Sequence, residues 1–211
     1  MNRDAEFDII VYGATGFTGR LVAEYLAQTY GVGGEVKWAM AGRSEGKLAA
    51  VRDEIGAPRD TPLVVADADD VASLDAMVGR AKAIITTVGP YQLYGDALIG
   101  ACARAGTDYL DLSGEPNWMA ATIAAHHETA KASGARILHS AGFDSIPFEL
   151  GVLFAQETAK AKLGGTVPRV KGRVRAMKGG LSGGTAASGR ATMAAIMKDP
   201  SLMMLMASPS P

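Results

Sequence analysis

Short continuous apolar runs recur along the first 160 residues, and each is followed by a stretch whose apolar positions repeat at helical spacing. The runs are Asp8–Tyr12, Val36–Ala41, Leu63–Ala66, Ala83–Val88, Tyr109–Leu112 and Arg136–Ser140. They do not alternate apolar with polar, which is the pattern of parallel strands covered on both faces. The helical stretches fall at 17–30, 45–55, 70–80, 95–105, 117–132 and 147–162. Pro116 and Pro147 sit where two of these would begin, a position at which a missing N–H costs nothing. Six strand–helix pairs predict a doubly wound α/β fold with a parallel sheet.

The pattern changes after residue 165. Arg169, Lys171, Arg173 and Arg175 alternate with Val170, Gly172, Val174 and Ala176, so period two predicts a strand with one basic and one small-apolar face. A glycine-rich link, Gly179–Gly184, leads to a predicted helix over Thr185–Lys198. Charge divides at the same place. Residues 1–160 hold 21 acids against 13 bases, whereas residues 161–211 hold one acid, Asp199, against eight bases. The expected organisation is therefore a nucleotide-binding domain over 1–162 and the beginning of a second α/β domain over 166–211.

The first strand runs into Gly13-Ala14-Thr15-Gly16-Phe17-Thr18-Gly19. A G-x-x-G-x-x-G segment between a strand and a helix is built to hold a dinucleotide. One glycine makes the tight turn, one lets backbone N–H groups approach the pyrophosphate, and one lets helix and strand pack closely. The end of the second strand selects the dinucleotide. A ribose 2′-hydroxyl calls for Asp or Glu there, but the chain has Ala41-Gly42-Arg43-Ser44. Arg43 can pair with a 2′-phosphate and Ser44 can add a hydrogen bond, so the expected cofactor is NADP(H). Asp67 and Ala68 end the third strand on the adenine side, with Asp70 as a cap for the next helix. Thr87, Val88, Gly89 and Pro90 carry the fourth strand past the cofactor and present Tyr91 near the nicotinamide, where it could pack or donate a proton.

Other chemistry is sparse. Six tyrosines are followed four residues later by Gly16, Thr29, Gly34, Gly95, Leu98 and Ser113, so the Tyr-x-x-x-Lys pair of short-chain dehydrogenases is absent. His126 and His127 are adjacent on a helix and point in different directions, and no metal site is expected. His139 reads as a core histidine and Cys102 as inert packing. Asp111, Glu115 and Asp144 follow strand ends on the crevice side, as catalytic candidates or as turn and cap residues; Asp144 joins Tyr91 as the catalytic expectation. A single cysteine fits a reducing cytoplasm, and no apolar run approaches the length of a membrane span.

Several segments together resemble the saccharopine dehydrogenase-like oxidoreductase family: Tyr12–Gly19, Ala41–Arg43, Thr87–Tyr91 with Tyr94-Gly95, Tyr109–Glu115, Gly142–Pro147 and Ser182–Thr185. Within it the chain is most similar to the actinobacterial trans-acting enoyl reductases. The resemblance implies a Rossmann-type domain and a second α/β domain, NADP(H), and reduction of an enoyl double bond on an acyl or polyketide lipid intermediate. Family members are roughly twice this length, so it also implies a chain that stops inside its second domain. The implied partners are a small-molecule or carrier-bound acyl substrate, with an acyl carrier, a membrane surface or a second copy through the second domain as further expectations. Nucleic acid is not among them. The competing reading is a non-catalytic NADP-binding module that senses redox state or acts as a scaffold.

Overall fold

The computed structural model describes residues 5–180 and 182–207 of the 211-residue chain, without the side chains of 205–207. Met1–Asp4, Leu181 of the glycine-rich link and the terminal Ser208–Pro211 lie outside the described residues. Six strands form one sheet: β1 (Phe7–Tyr12), β2 (Trp38–Gly42), β3 (Leu63–Val65), β4 (Ala81–Thr86), β5 (Asp108–Leu110) and β6 (Ile137–Leu138). All neighbours are parallel, in the order β3-β2-β1-β4-β5-β6. This is the Rossmann order, and it reverses between β1 and β4.

The apolar runs were read as strands covered on both faces, and the packing shows why they lack alternation. Ile10 and Tyr12 of β1 join one core with Ala39 and Ala41 of β2 and with Leu74, Met77, Leu98 and Ile99. Their neighbours Val11, Trp38 and Met40 join a second core with Ala23, Leu26, Leu48 and Val51. The first core is closed by α3 (Val71–Val78) and α5 (Asp96–Ala105), the second by α1 (Phe17–Tyr30) and α2 (Glu45–Glu54). Successive residues thus serve opposite layers, and each has to be apolar.

Local signals fix the helix ends. The Asp70 carboxylate accepts from the N–H groups of Ala72 and Ser73, at 3.1 and 3.3 Å, and so caps α3. Pro116 and Pro147 lie in the first turns of α6 (Pro116–Ser133) and α7 (Ile146–Leu163). A short helix, α4 (Tyr91–Tyr94), precedes α5, and Gly106 in left-handed geometry ends α5.

The strand expected over 169–176 does not form. Residues 168–180 contain neither helix nor strand and are almost wholly exposed. A period-two pattern becomes a strand only beside an edge that completes its ladder. Among the described residues the sheet ends on that side in the two-residue β6. The approach to the segment is held instead by Gln156 of α7, whose side-chain amide both donates to the Val167 carbonyl and accepts from its N–H, each at 2.9 Å.

The chain then returns to the body. Helix α8 (Gly183–Lys198) lies over the carboxyl ends of the strands, and α9 (Leu202–Ala207) packs against α6 and α8. Gln92 of α4 ties α8 down by donating to the buried Thr192 hydroxyl at 3.3 Å. Helix α7 behaves differently. Only Ala159 is buried, while Phe148, Leu150, Leu153 and Phe154 are exposed.

Candidate cofactor and substrate site

At the reversal of strand order a crevice opens above the ends of β1 and β4. Its lining includes Gly13, Thr15, Gly16, Arg43, Asp67, Ala68, Thr87, Val88 and Gly89 of the residues expected from sequence. Tyr12, Gly42, Asp69 and Tyr94 line it as well and were not expected.

The three glycines have separate physical duties. Gly13 has φ +90°, and a Cβ there would stand 2.8 Å from both Thr87 Oγ1 and Val88 Cγ2. At Gly19 a Cβ would run into the Gly13 carbonyl oxygen, so this glycine lets α1 seat against the turn. Gly16 differs from both. A Cβ there would meet only the Gly13 oxygen, at 3.3 Å, with open crevice beyond. Gly16 is also the N-cap of α1 and has no side-chain hydrogen bond to its first turn. An open cradle over unfilled helix N–H groups fits a pyrophosphate.

Arg43 is exposed at the other end of the lining and makes no ion pair among the described residues. Burial pushes the Tyr12 phenol up to about 12, with Asp67 raising it further and Arg43 opposing. Arg43 and Asp67 therefore flank the same corner. A free guanidinium beside a crevice without an acid at the end of β2 fits a 2′-phosphate.

The remaining expected contacts do not line the crevice with their side chains. Ala14 is fully buried in the second core, and Gly19 lies beneath the turn. Phe17 is 72% exposed and does not line the crevice. Ser44 uses its hydroxyl to cap α2, accepting from the Lys47 N–H at 3.4 Å. Pro90 is buried and precedes α4, and Thr18 lines a neighbouring cavity. Each departure has one cause: a sequence places a residue beside a turn, and packing then decides which way it faces.

Tyr91 also departs from expectation as a proton donor. It is 4% exposed, its ring stacks on Trp118 at 5.6 Å, and its hydroxyl donates to the Thr86 carbonyl at 3.2 Å while accepting from the Leu112 N–H at 3.3 Å. Burial pushes the phenol well above its ordinary value. The hydroxyl is committed to backbone and braces the ends of β4 and β5. Tyr94, one helical turn later, is 41% exposed and lines the crevice. That spacing along α4 is the sequence signal that would have found it.

The Leu-Ser-Gly-Glu segment forms the floor. Glu115 is fully buried, and its carboxylate accepts from the N–H groups of Tyr91 and Gln92 at 3.0 and 2.8 Å, holding the start of α4. Asp111 accepts from Tyr109 at 3.0 Å, from the Ser113 N–H and hydroxyl at 2.9 and 2.8 Å, and from the Ser140 N–H at 2.9 Å. His139 Nδ1 lies 2.9 Å from the same carboxylate. Burial would raise the Asp111 carboxyl, but the bonds from His139 and Ser113 outweigh it and hold it below the usual carboxylate range. Ser140 sits at φ +54°, an uncommon conformation for a residue with a side chain, and is pinned by Asp111 and by its own hydroxyl bond to the Ser113 carbonyl. Asp111 and Glu115 are thus positioning residues.

A second cavity of about 520 Å³ adjoins the crevice and shares Thr87 and Gly89 with it. Its roof is α8, its floor Tyr91 and Leu112, and Asp144 stands at its side. That volume is within the range that holds small ligands. The helix predicted over Thr185–Lys198 forms as α8, and its return over the crevice is a tertiary feature with no local sequence signal. Among the described residues no group of three metal-ligating side chains occurs, and no helix is long and apolar enough to cross a membrane.

Comparison with known proteins agrees with this geometry. Residues 9–138 match the family model of the saccharopine dehydrogenase NADP-binding domain. A Mycobacterium tuberculosis (strain H37Rv) protein, named provisionally as a trans-acting enoyl reductase, is 46% identical over 196 residues, covering 92% of this chain and 46% of its own length. The trans-acting enoyl reductase of Mycobacterium leprae is 51% identical over 148 residues, covering 70% of this chain and 35% of its own. The chain thus spans less than half the length of these relatives. Among solved structures, saccharopine dehydrogenase (L-Glu forming) of Saccharomyces cerevisiae superposes with a TM-score of 0.56 at 17% identity, over 74% of this chain and 31% of that one, which is a likeness of fold. By the match over residues 9–138, this chain belongs to the saccharopine dehydrogenase NADP-binding domain family, and its cofactor is NADP(H).

Proposed function

We propose that the chain is the cofactor-binding part of an NADPH-dependent enoyl reductase acting on an acyl or polyketide lipid intermediate. One observation carries the reading: the cofactor crevice adjoins a chamber roofed by α8, the two sharing Thr87 and Gly89 in their linings. The names of the mycobacterial relatives support the enoyl substrate. A module that only sensed redox state would need no chamber beside the cofactor.

NADPH, when bound, supplies a hydride; in an enoyl carbonyl compound this reaches the β-carbon, a proton reaches the α-carbon, and NADP+ remains. The chain's own residues bind and orient. Gly16 and the first N–H groups of α1 take the pyrophosphate, and Arg43 takes the 2′-phosphate. Thr18, Thr185 and Ser188 place hydroxyls around the chamber, able to donate to a substrate carbonyl oxygen as charge gathers there. Tyr91, held by Thr86 and Leu112, keeps the floor rigid.

The exposed basic segment at 169–175 supports delivery by an acidic acyl carrier, and the single buried cysteine supports a cytoplasmic setting. The test is NADPH oxidation, followed by absorbance, with an enoyl thioester of N-acetylcysteamine. Turnover that depends on the thioester and leaves a saturated product supports the reading. No turnover by a full-length relative carrying the same crevice overturns it.

A further inference from the structure

The α8 chamber is chemically one-sided. Among the described residues no lysine, arginine or histidine lines it, and Asp144 is its sole charged side chain. The rest is hydroxyl, glycine and apolar surface, the last including Leu112 and, from α8, Met193 and Ile196. Ser188 of α8 reaches towards the wall shared with the cofactor crevice, its Oγ being 3.6 Å from where a Cβ on Gly89 would lie. The roof is fixed in place, because Thr192 is buried and bonded to Gln92, which in turn accepts from Asn117 of α6 at 3.5 Å.

Charge and solvation decide what such a chamber accepts. A carboxylate entering it would lose water and find no cation in exchange. It would also approach the exposed Asp144 carboxylate, a like charge whose repulsion is felt at low salt. An uncharged acyl carbonyl meets neither cost and can accept from the hydroxyls, while its alkyl chain lies along Leu112, Met193 and Ile196.

We propose that the chamber beneath α8 is an acyl pocket in which Asp144 is a specificity-determining charge gate, admitting uncharged enoyl thioesters and excluding free carboxylic acids. The proposal rests on the enoyl-reductase reading and deepens it.

The test is equilibrium binding to the chain, with and without NADP+, at low salt. The ligands are trans-2-octenoyl N-acetylcysteamine thioester, free trans-2-octenoate and the corresponding 2-octenyl ammonium. The thioester is expected to bind at least tenfold tighter than the acid, as repulsion and desolvation both oppose the anion. Asp144→Asn is expected to shrink that gap to about threefold, and Asp144→Lys to close or invert it; both change an exposed side chain and leave the fold intact. Ser188→Ala should weaken the thioester about threefold, the size of one lost neutral hydrogen bond, without moving the thioester-to-acid ratio much.

Equal binding of thioester and acid by the wild-type chain overturns the proposal, as does a gap that Asp144→Lys leaves untouched or the absence of binding by any ligand. Preferred binding of the ammonium, lost in Asp144→Asn, would make Asp144 an anchor for cations and likewise overturn it. A chain that discriminates as expected but never oxidises NADPH in the presence of the thioester keeps the gate and loses the reductase reading.

Discussion

Asp111 and His139 meet at 2.9 Å, Oδ2 to Nδ1, with side chains 0% and 7% exposed. They come from the ends of neighbouring strands, 28 residues apart in sequence, and the carboxylate also gathers Ser113, Ser140 and Tyr109. The pair ties the turn after β5 to the turn after β6, beside the chamber floor.

Removing the carboxylate leaves several donors buried without an acceptor. Asp111→Ala is therefore expected to cost about 3 kcal/mol or more of folding stability, since each buried donor left without an acceptor costs about 1–3 kcal/mol. Denaturant unfolding at neutral pH measures it. A loss within the range of ordinary surface substitutions would show that the network contributes little.

The same carboxyl gives a pH dependence. Its folded value lies below its unfolded value, so its contribution is complete above the unfolded value of about 3.9 and disappears as pH falls through the folded one. Stability of the wild-type chain should decline steadily as the medium is acidified below that point. Asp111→Asn should show a shallower decline, leaving the part due to the other carboxyls held low, among them Asp108 by its bonds to Arg136 despite burial, Asp8 by Lys82 and Glu6 by Arg80. Parallel acid curves for the two proteins would contradict this.

The glycines of the turn should separate into two kinds. Gly19→Ala drives a methyl into the Gly13 carbonyl and is expected to destabilise the fold, by about 1–3 kcal/mol. The Cβ of Gly16→Val would meet only the Gly13 oxygen, at 3.3 Å, so the variant should fold, with its methyls filling the pyrophosphate cradle. Circular dichroism and NADPH titration on the same two variants check this. A folded Gly16→Val that binds NADPH normally would move the cofactor away from the turn.

Arg43 should govern the choice of dinucleotide. NADPH is expected to bind at least tenfold more tightly than NADH, about 1.4 kcal/mol, and Arg43→Ala should erase most of that margin. Fluorescence titration of both cofactors decides it. Equal affinities in the wild type would remove the 2′-phosphate role.

The two tyrosines of α4 should respond differently. Tyr91→Phe leaves the part-buried Leu112 N–H without its acceptor and should cost about 1 kcal/mol of stability, with little change in cofactor affinity. Tyr94→Phe should leave stability near wild type, because its side chain is largely open to the crevice. Thermal melts with and without NADPH measure both. A Tyr91→Phe protein with an unchanged melting temperature would reopen the hydroxyl for chemistry.

Sequence alone determined the six strands, their parallel arrangement, the glycine turn and the choice of Arg43 over an acid. These are local: apolar runs must be covered on both faces, and a strand–glycine–helix segment has few other uses. It also placed the caps at Asp70, Pro116 and Pro147, since capping is settled within one turn. Tertiary structure decided the rest. It turned Ala14 and the Tyr91 hydroxyl inward and joined Asp111 to His139. It left the basic run at 169–175 without a partner edge, and it folded α8 back to roof a chamber with one carboxylate. Side-chain direction and long-range pairing depend on which surfaces meet. Periodicity records only that a face is apolar, not what covers it.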